Sequence, residues 1–267
     1  MTTGHQIVRD YAQTPLNVYW EMTQACALAC RHCRAEARPA PAPDQLTFEE
    51  SLALLQQIPE FGEPLPHLIL TGGDPLERPD LFPLIDEARR LGISLSITPA
   101  ATPRLTREVL VKLQEHGVEG LGLSLDASSA ERHDGLRGVP GTFDRTLQAL
   151  DWARELGLPV QVNTLVAAET ADDLAAVYHL LIPYEIARWS LFFLISVGRG
   201  KVLQPLEPAQ AEDLMRWIYQ TGKQSPFFIA TTEAPSYRRI AIEEMRGEGL
   251  TGEAIKRSPA EIGRAHV

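Results

Sequence analysis

Residues 16–33 read Leu-Asn-Val-Tyr-Trp-Glu-Met-Thr-Gln-Ala-Cys-Ala-Leu-Ala-Cys-Arg-His-Cys. The first seven, rich in β-branched and aromatic side chains, read as a strand over 16–22. The last eight hold the chain's three cysteines, Cys26, Cys30 and Cys33, in the pattern Cys-x3-Cys-x2-Cys. An odd number of cysteines so tightly clustered argues for metal ligation over disulfide pairing. Thiolates are the usual ligands of iron–sulfur clusters. A loop can bend three of them around three corners of a cubane, which leaves one iron open to another ligand. The competing reading is structural zinc, which wants four ligands, typically as two separated pairs. His32 would be an awkward fourth ligand because it adjoins Cys33; His5 and His67 are the alternatives.

Outward from this stretch, strands alternate with helices. Strand patterns cover 67–70, 93–98, 120–125, 160–166 and 188–195, and helical spacing covers 47–58, 80–91, 106–115, 143–156, 171–181 and 208–219. Thr47 and Glu50 form a capping-box signature, and Gly92, Gly117 and Gly157 stand where helices should close. Six strand–helix units in a row predict an α/β fold of parallel strands with right-handed crossovers. The pattern alone fits both a partial barrel and an open doubly wound sheet. Either would gather ligands at the carboxyl ends of the strands. The proline-rich run 35–43 reads as a plain connector or as a lid over the cysteines. A further helix is expected near 237–246.

The chain has 267 residues, 44% of them hydrophobic, and a formal net charge of −10. The charge argues against a nonspecific grip on nucleic acid. No apolar run approaches the ~20 residues that span a bilayer, and the first residues lack a signal-peptide pattern. A cytoplasmic protein, bound to neither nucleic acid nor membrane, is therefore expected.

Other motifs fall after successive strands. Thr71-Gly72-Gly73-Asp74-Pro75 follows the second: its glycines let backbone approach a ligand, and Asp74 can accept from an ammonium. A plain tight turn is the bland reading. Ser124-Leu125-Asp126 closes the fourth strand, and Arg137-Gly138 stands in the loop after it. Thr98 ends the third strand. Asn163 lies within the fifth, where a buried amide needs a partner. Ser196-Val197-Gly198-Arg199-Gly200 follows the sixth, with Arg199 free to face solvent or substrate.

In these motifs, from about residue 16 to 200, the chain resembles the radical S-adenosylmethionine (SAM) superfamily. His32 takes a position that is commonly aromatic there, and Asp74 one that is usually Glu. The resemblance implies a partial (β/α)6 TIM-like barrel with helices outside, a 4Fe–4S cluster on Cys26, Cys30 and Cys33, and SAM as second cofactor. By the same resemblance Gly72, Gly73 and Asp74 hold the SAM amino group, Ser124 and Asp126 line its pocket, and Arg137 pairs with its carboxylate. Thr98 and Asn163 join the SAM site, and the loop 196–200 passes near the adenine.

The implied reaction is reductive cleavage of SAM to a 5′-deoxyadenosyl radical that abstracts hydrogen from the substrate. Within the superfamily the chain looks most like the molybdenum-cofactor, quinone-cofactor peptide and haem-pathway (SPASM-type) branch. A tetrapyrrole side chain or a peptide is then the expected substrate, and a low-potential flavodoxin- or ferredoxin-type protein the electron donor. Many of that branch carry auxiliary clusters in a cysteine-rich C-terminal extension; here no cysteine follows Cys33. The expected organisation is an N-terminal extension over 1–15, a core barrel over 16–222 and a C-terminal extension over 223–267, its polar end suggesting truncation. The alternative function is an idle iron–sulfur or zinc-binding module.

Overall fold

The structure, a computed structural model, describes residues 10–256; the first residues and the polar end, for which expectations are given above, lie outside these. Seven strands form one sheet: β1 (Asn17–Glu21), β2 (His67–Thr71), β3 (Leu95–Ile97), β4 (Gly120–Ser124), β5 (Val160–Val166), β6 (Arg188–Phe193) and β7 (Phe228–Thr232). Their spatial order is their chain order, and every neighbouring pair is parallel. Such a run of parallel strands with helical crossovers curls into an open half-barrel.

The helices are α1 (Phe48–Gln57), α2 (Leu81–Arg90), α3 (Arg107–Glu115), α4 (Ala130–Arg137), α5 (Thr142–Leu156), α6 (Leu174–Leu181), α7 (Pro208–Gly222), α8 (Tyr237–Gly247) and α9 (Gly252–Lys256). Local chemistry sets their ends. Thr47 and Glu50 make the reciprocal capping box at α1, and Thr106 caps α3 by accepting the Val109 N–H. Gly157, at φ +65°, closes α5. None of the described helices is long and apolar enough to cross a membrane.

The strands' two-residue alternation separates two faces. Leu68, Leu70, Leu95, Ile97, Leu121, Leu123, Val162 and Trp189 are buried in the main core, which the helices share. Thr71, Ser96, Ser124, Gln161 and Asn163 alternate with them and are half-buried, as expected of the inner wall of an open barrel. Gly122 belongs to that wall: a Cβ there would stand 2.7 Å from Thr98 Oγ1.

Two elements differ from the sequence reading. The six expected strand–helix units are followed by a seventh strand, β7, paired with β6 from Arg188↔Phe228 to Phe192↔Thr232. Its five residues, Phe-Ile-Ala-Thr-Thr, are too few for period-2 alternation to stand out, and pairing with β6 supplies the rest. The stretch holding Arg137, read as loop, contains α4, where only His133 and Leu136 are buried. So little apolar periodicity, interrupted by Gly135, leaves no amphipathic signal.

Candidate active site

The cysteine loop leaves the carboxyl end of β1 and is fastened from three sides. From the β2 side, the Gly73 N–H donates to Thr23 O at 2.6 Å and the Asp74 N–H to Ala25 O at 2.7 Å. A Cβ on Gly73 would collide with the Ala25 carbonyl, so glycine is what allows this approach. From α4, Ala29 N–H reaches Arg137 O (3.2 Å) and Arg31 N–H reaches Leu136 O (2.8 Å). Gly138 caps that helix at φ +71°, with Ala29 O 2.7 Å from where its Cβ would lie. From the β6 side, the Arg199 N–H donates to Cys33 O at 3.1 Å. The proline-rich run also turns back: Arg38 pairs with Ala25, and the Cys26 N–H donates to Arg38 O at 2.8 Å.

Within this frame Cys26 and Cys30 are buried beside Leu28 and Ala37, with Cys33 packed against them. Each sulfur accepts a hydrogen bond: Cys26 from Leu28 N–H (3.3 Å), Cys33 from Ala37 N–H (3.4 Å) and Cys30 from Arg137 Nη1 (3.7 Å). Burial pushes the Cys26 thiol up to about 11 against the Leu28 N–H, with Asp74 and the other two cysteines adding to the rise. Such a thiol becomes a thiolate at neutral pH when a metal takes the proton's place. Among the described residues no group of three His, Cys, Asp or Glu side chains has the arrangement of a single-metal site, the three cysteines included, and His5, one of the zinc alternatives, lies outside those residues.

Asp126, His32, His133 and Arg137 meet next to Cys30. Arg137 Nη2 lies 2.7 Å from Asp126 Oδ2, with both side chains nearly sealed from solvent, and His32 Nε2 lies 3.7 Å from the same oxygen. Asp126 Oδ1 accepts the Leu165 N–H at 2.9 Å. Burial alone would raise the Asp126 carboxyl; opposing charges, Arg137 first, hold it at about 2. Burial lowers His32 and His133 to about 4, so both are neutral at pH 7 and Arg137 is the standing counter-charge. The His133 Nδ1 accepts the Asp126 N–H at 3.1 Å, which puts the ring's proton on Nε2.

The other expected site residues stand as follows. The Asp74 oxygens accept from Leu76 N–H (3.1 Å), Ala100 N–H (3.3 Å) and Thr102 Oγ1 (3.1 Å). Wholly buried, this carboxylate knits the loops after β2 and β3 together, and burial raises its pKa. Asn163 Oδ1 accepts from Gln161 Nε2 at 2.8 Å on the inner wall, the partner the amide needed. Thr98, just past β3, faces Gly122. Ser124 borders a cleft with Leu28, Pro99, Ala100, His133 and Arg137.

Four polar atoms here are buried without a protein partner: His32 Nδ1, His133 Nε2, Arg137 Nε and Arg199 Nη2. Buried polar atoms are hydrogen-bonded in folded proteins, so these fit a polar ligand. With three hydrogen-bonded sulfurs beside them, they suit a thiolate-held cluster and a zwitterionic cofactor. His133 stands in the stretch 133–138 that shares in the family resemblance but receives no site role from the sequence, because His-Asp within a polar helix carries no pattern of its own. Arg199, half-buried, turns its guanidinium onto the cysteine loop.

Comparison with known proteins agrees with this geometry. The family model described as the radical SAM superfamily matches residues 20–181. An AdoMet-dependent heme synthase of Oleidesulfovibrio alaskensis is 36% identical over 235 residues, 87% of this chain and 60% of that protein. A protein of the same name from Methanosarcina barkeri is 33% identical over 236 residues, 88% of this chain and 67% of that one. The chain thus spans about two thirds of the length of these relatives. Among solved structures, Streptococcus suis SuiB bound to S-adenosylmethionine matches with a TM-score of 0.69 and 20% identity, covering 82% of this chain and 51% of that one, a likeness of fold. Strand order, cysteine loop and family match converge: the chain belongs to the radical SAM superfamily of enzymes, whose cofactors are a 4Fe–4S cluster and S-adenosylmethionine.

Proposed function

We propose that this chain binds a 4Fe–4S cluster through Cys26, Cys30 and Cys33 and cleaves SAM reductively, so that the resulting radical abstracts hydrogen from a tetrapyrrole side chain. The observation that supports this best is the cysteine loop itself, fastened at the carboxyl ends of the strands with a donor on every sulfur. When bound, the cofactors supply one-electron cleavage of the sulfonium carbon–sulfur bond and a 5′-deoxyadenosyl radical that takes a hydrogen atom from the substrate.

The chain's own residues position and shield. The loop fixes the three sulfurs, and Leu28, Ala37 and Val139 around them keep water away. Gly72 and Gly73 let backbone approach the SAM amino group, with Asp74 bracing their turn from behind. Arg137, Ser124 and His133 border the cleft proposed for the amino-acid end, and a guanidinium fork suits a carboxylate. Asp126 holds Arg137 there until the ligand arrives. Thr98 and Asn163 line the inner wall toward the adenosyl group. Catalysis of this kind is positioning plus electrostatics, with the cofactors carrying the bond chemistry.

The tetrapyrrole is preferred over a peptide because AdoMet-dependent heme synthases are among the relatives at 33–36% identity. A flavodoxin- or ferredoxin-type protein would deliver the electron. The test is anaerobic reconstitution, dithionite and SAM, with 5′-deoxyadenosine measured by chromatography. The wild-type chain should form it, and Cys30→Ala should form none. A Cys30→Ala chain as active as wild type would sink the reading, and a wild-type chain that keeps its cluster and forms none would point to the idle module.

A further inference from the structure

The Arg199 guanidinium reaches back across the strand ends onto the cysteine loop. Its Nε donates to Cys30 O at 2.9 Å and its Nη1 to Ala37 O at 2.9 Å. Its own backbone N–H donates to Cys33 O at 3.1 Å. Gly198, at φ +53°, permits this: a Cβ there would lie 2.7 Å from Cys33 O and 2.8 Å from Arg34 O. One rigid fork thus grips two carbonyls on either side of Cys33, and planarity fixes their spacing in a way a flexible ammonium does not. The remaining nitrogen, Nη2, is buried and unpartnered. Among the described residues no carboxylate pairs with Arg199, whereas Arg137 is matched by Asp126.

We propose that Arg199 is the positioning residue of the cluster loop: it holds Cys30 and Cys33 at their ligating positions and keeps an uncompensated positive charge beside the cluster. This rests on the reading that the three cysteines bind a cluster. Two consequences are separable. The clasp slows cluster loss, because without its two side-chain bonds the stretch 30–37 is ordered only by its remaining backbone contacts and the metal. The charge favours the reduced cluster, which carries one more negative charge than the oxidised form, and so raises its potential.

The test uses the full chain, reconstituted anaerobically, as wild type, Arg199→Met and Arg199→Lys. Iron and sulfide content, the rate of cluster loss to a ferrous chelator, and the midpoint potential followed by electron paramagnetic resonance are measured on each. Arg199→Met should lose its cluster about tenfold faster, the order expected for losing a hydrogen bond from a charged donor, and its potential should fall. Arg199→Lys should also lose it faster but keep the wild-type potential. Wild-type loss rates in both variants, an unmoved potential in Arg199→Met, or an equal fall in Arg199→Lys overturns the assignment. Should Arg199→Met fail to fold, the Arg199→Lys loss rate decides. A wild-type chain that takes up no iron overturns the cluster reading itself; a stable wild-type cluster with indifferent variants overturns the role of Arg199 alone.

Discussion

At the scale of single residues, buried polar groups at the site are placed by backbone as much as by one another. His133 shows the consequence most clearly. It is wholly buried, accepts the Asp126 N–H at Nδ1, and has its pKa lowered to about 4, chiefly by burial. The unfolded chain takes up that proton near pH 6.5, well above the folded one. Below about pH 6.5 the unfolded state therefore binds more protons, and stability drains away as pH falls toward about 4, by up to about 1.4 kcal/mol per unit. Urea unfolding of the apo-chain between pH 7 and 4.5 should show this slope. In His133→Asn the side-chain oxygen keeps the acceptor without the titration, and the slope should flatten. Equal slopes in the two chains would remove His133 from the account.

At the scale of elements, close backbone approach is what makes the site. Gly73→Ala would drive a methyl into the Ala25 carbonyl, and we expect a loss of about 2–4 kcal/mol together with poor iron uptake. Gly135, inside α4, is the contrast: nothing lies within 4 Å of its Cβ position. Gly135→Ala should gain about 0.5–1 kcal/mol from helix propensity and leave iron uptake unchanged. Thermal unfolding and iron analysis on the two variants check both. The same contrast explains what was legible beforehand. Gly72-Gly73 after an apolar strand, the Thr47–Glu50 box and the three cysteines carry their meaning in local pattern. The helix α4 and the strand β7 do not, because tertiary pairing rather than propensity forms them. Arg199 was readable as a motif, yet its target lies 162 and 169 residues away, a distance no local pattern spans.

At the scale of the whole molecule, seven parallel strands in chain order curl so that successive carboxyl ends bring their loops to one rim. Sequence periodicity predicted that rim, but the choice between a half-barrel and an open sheet came only with family resemblance, since both share the same alternation. The central claim is that the rim holds three thiolates around a cluster with one iron left for SAM. The most direct test is electron paramagnetic resonance of the reduced, reconstituted chain with and without SAM. The wild-type chain should give a low-temperature 4Fe–4S signal whose g values shift when SAM is added, and Cys26→Ala should give no such signal. A signal indifferent to saturating SAM, or one that persists without Cys26, would contradict the claim.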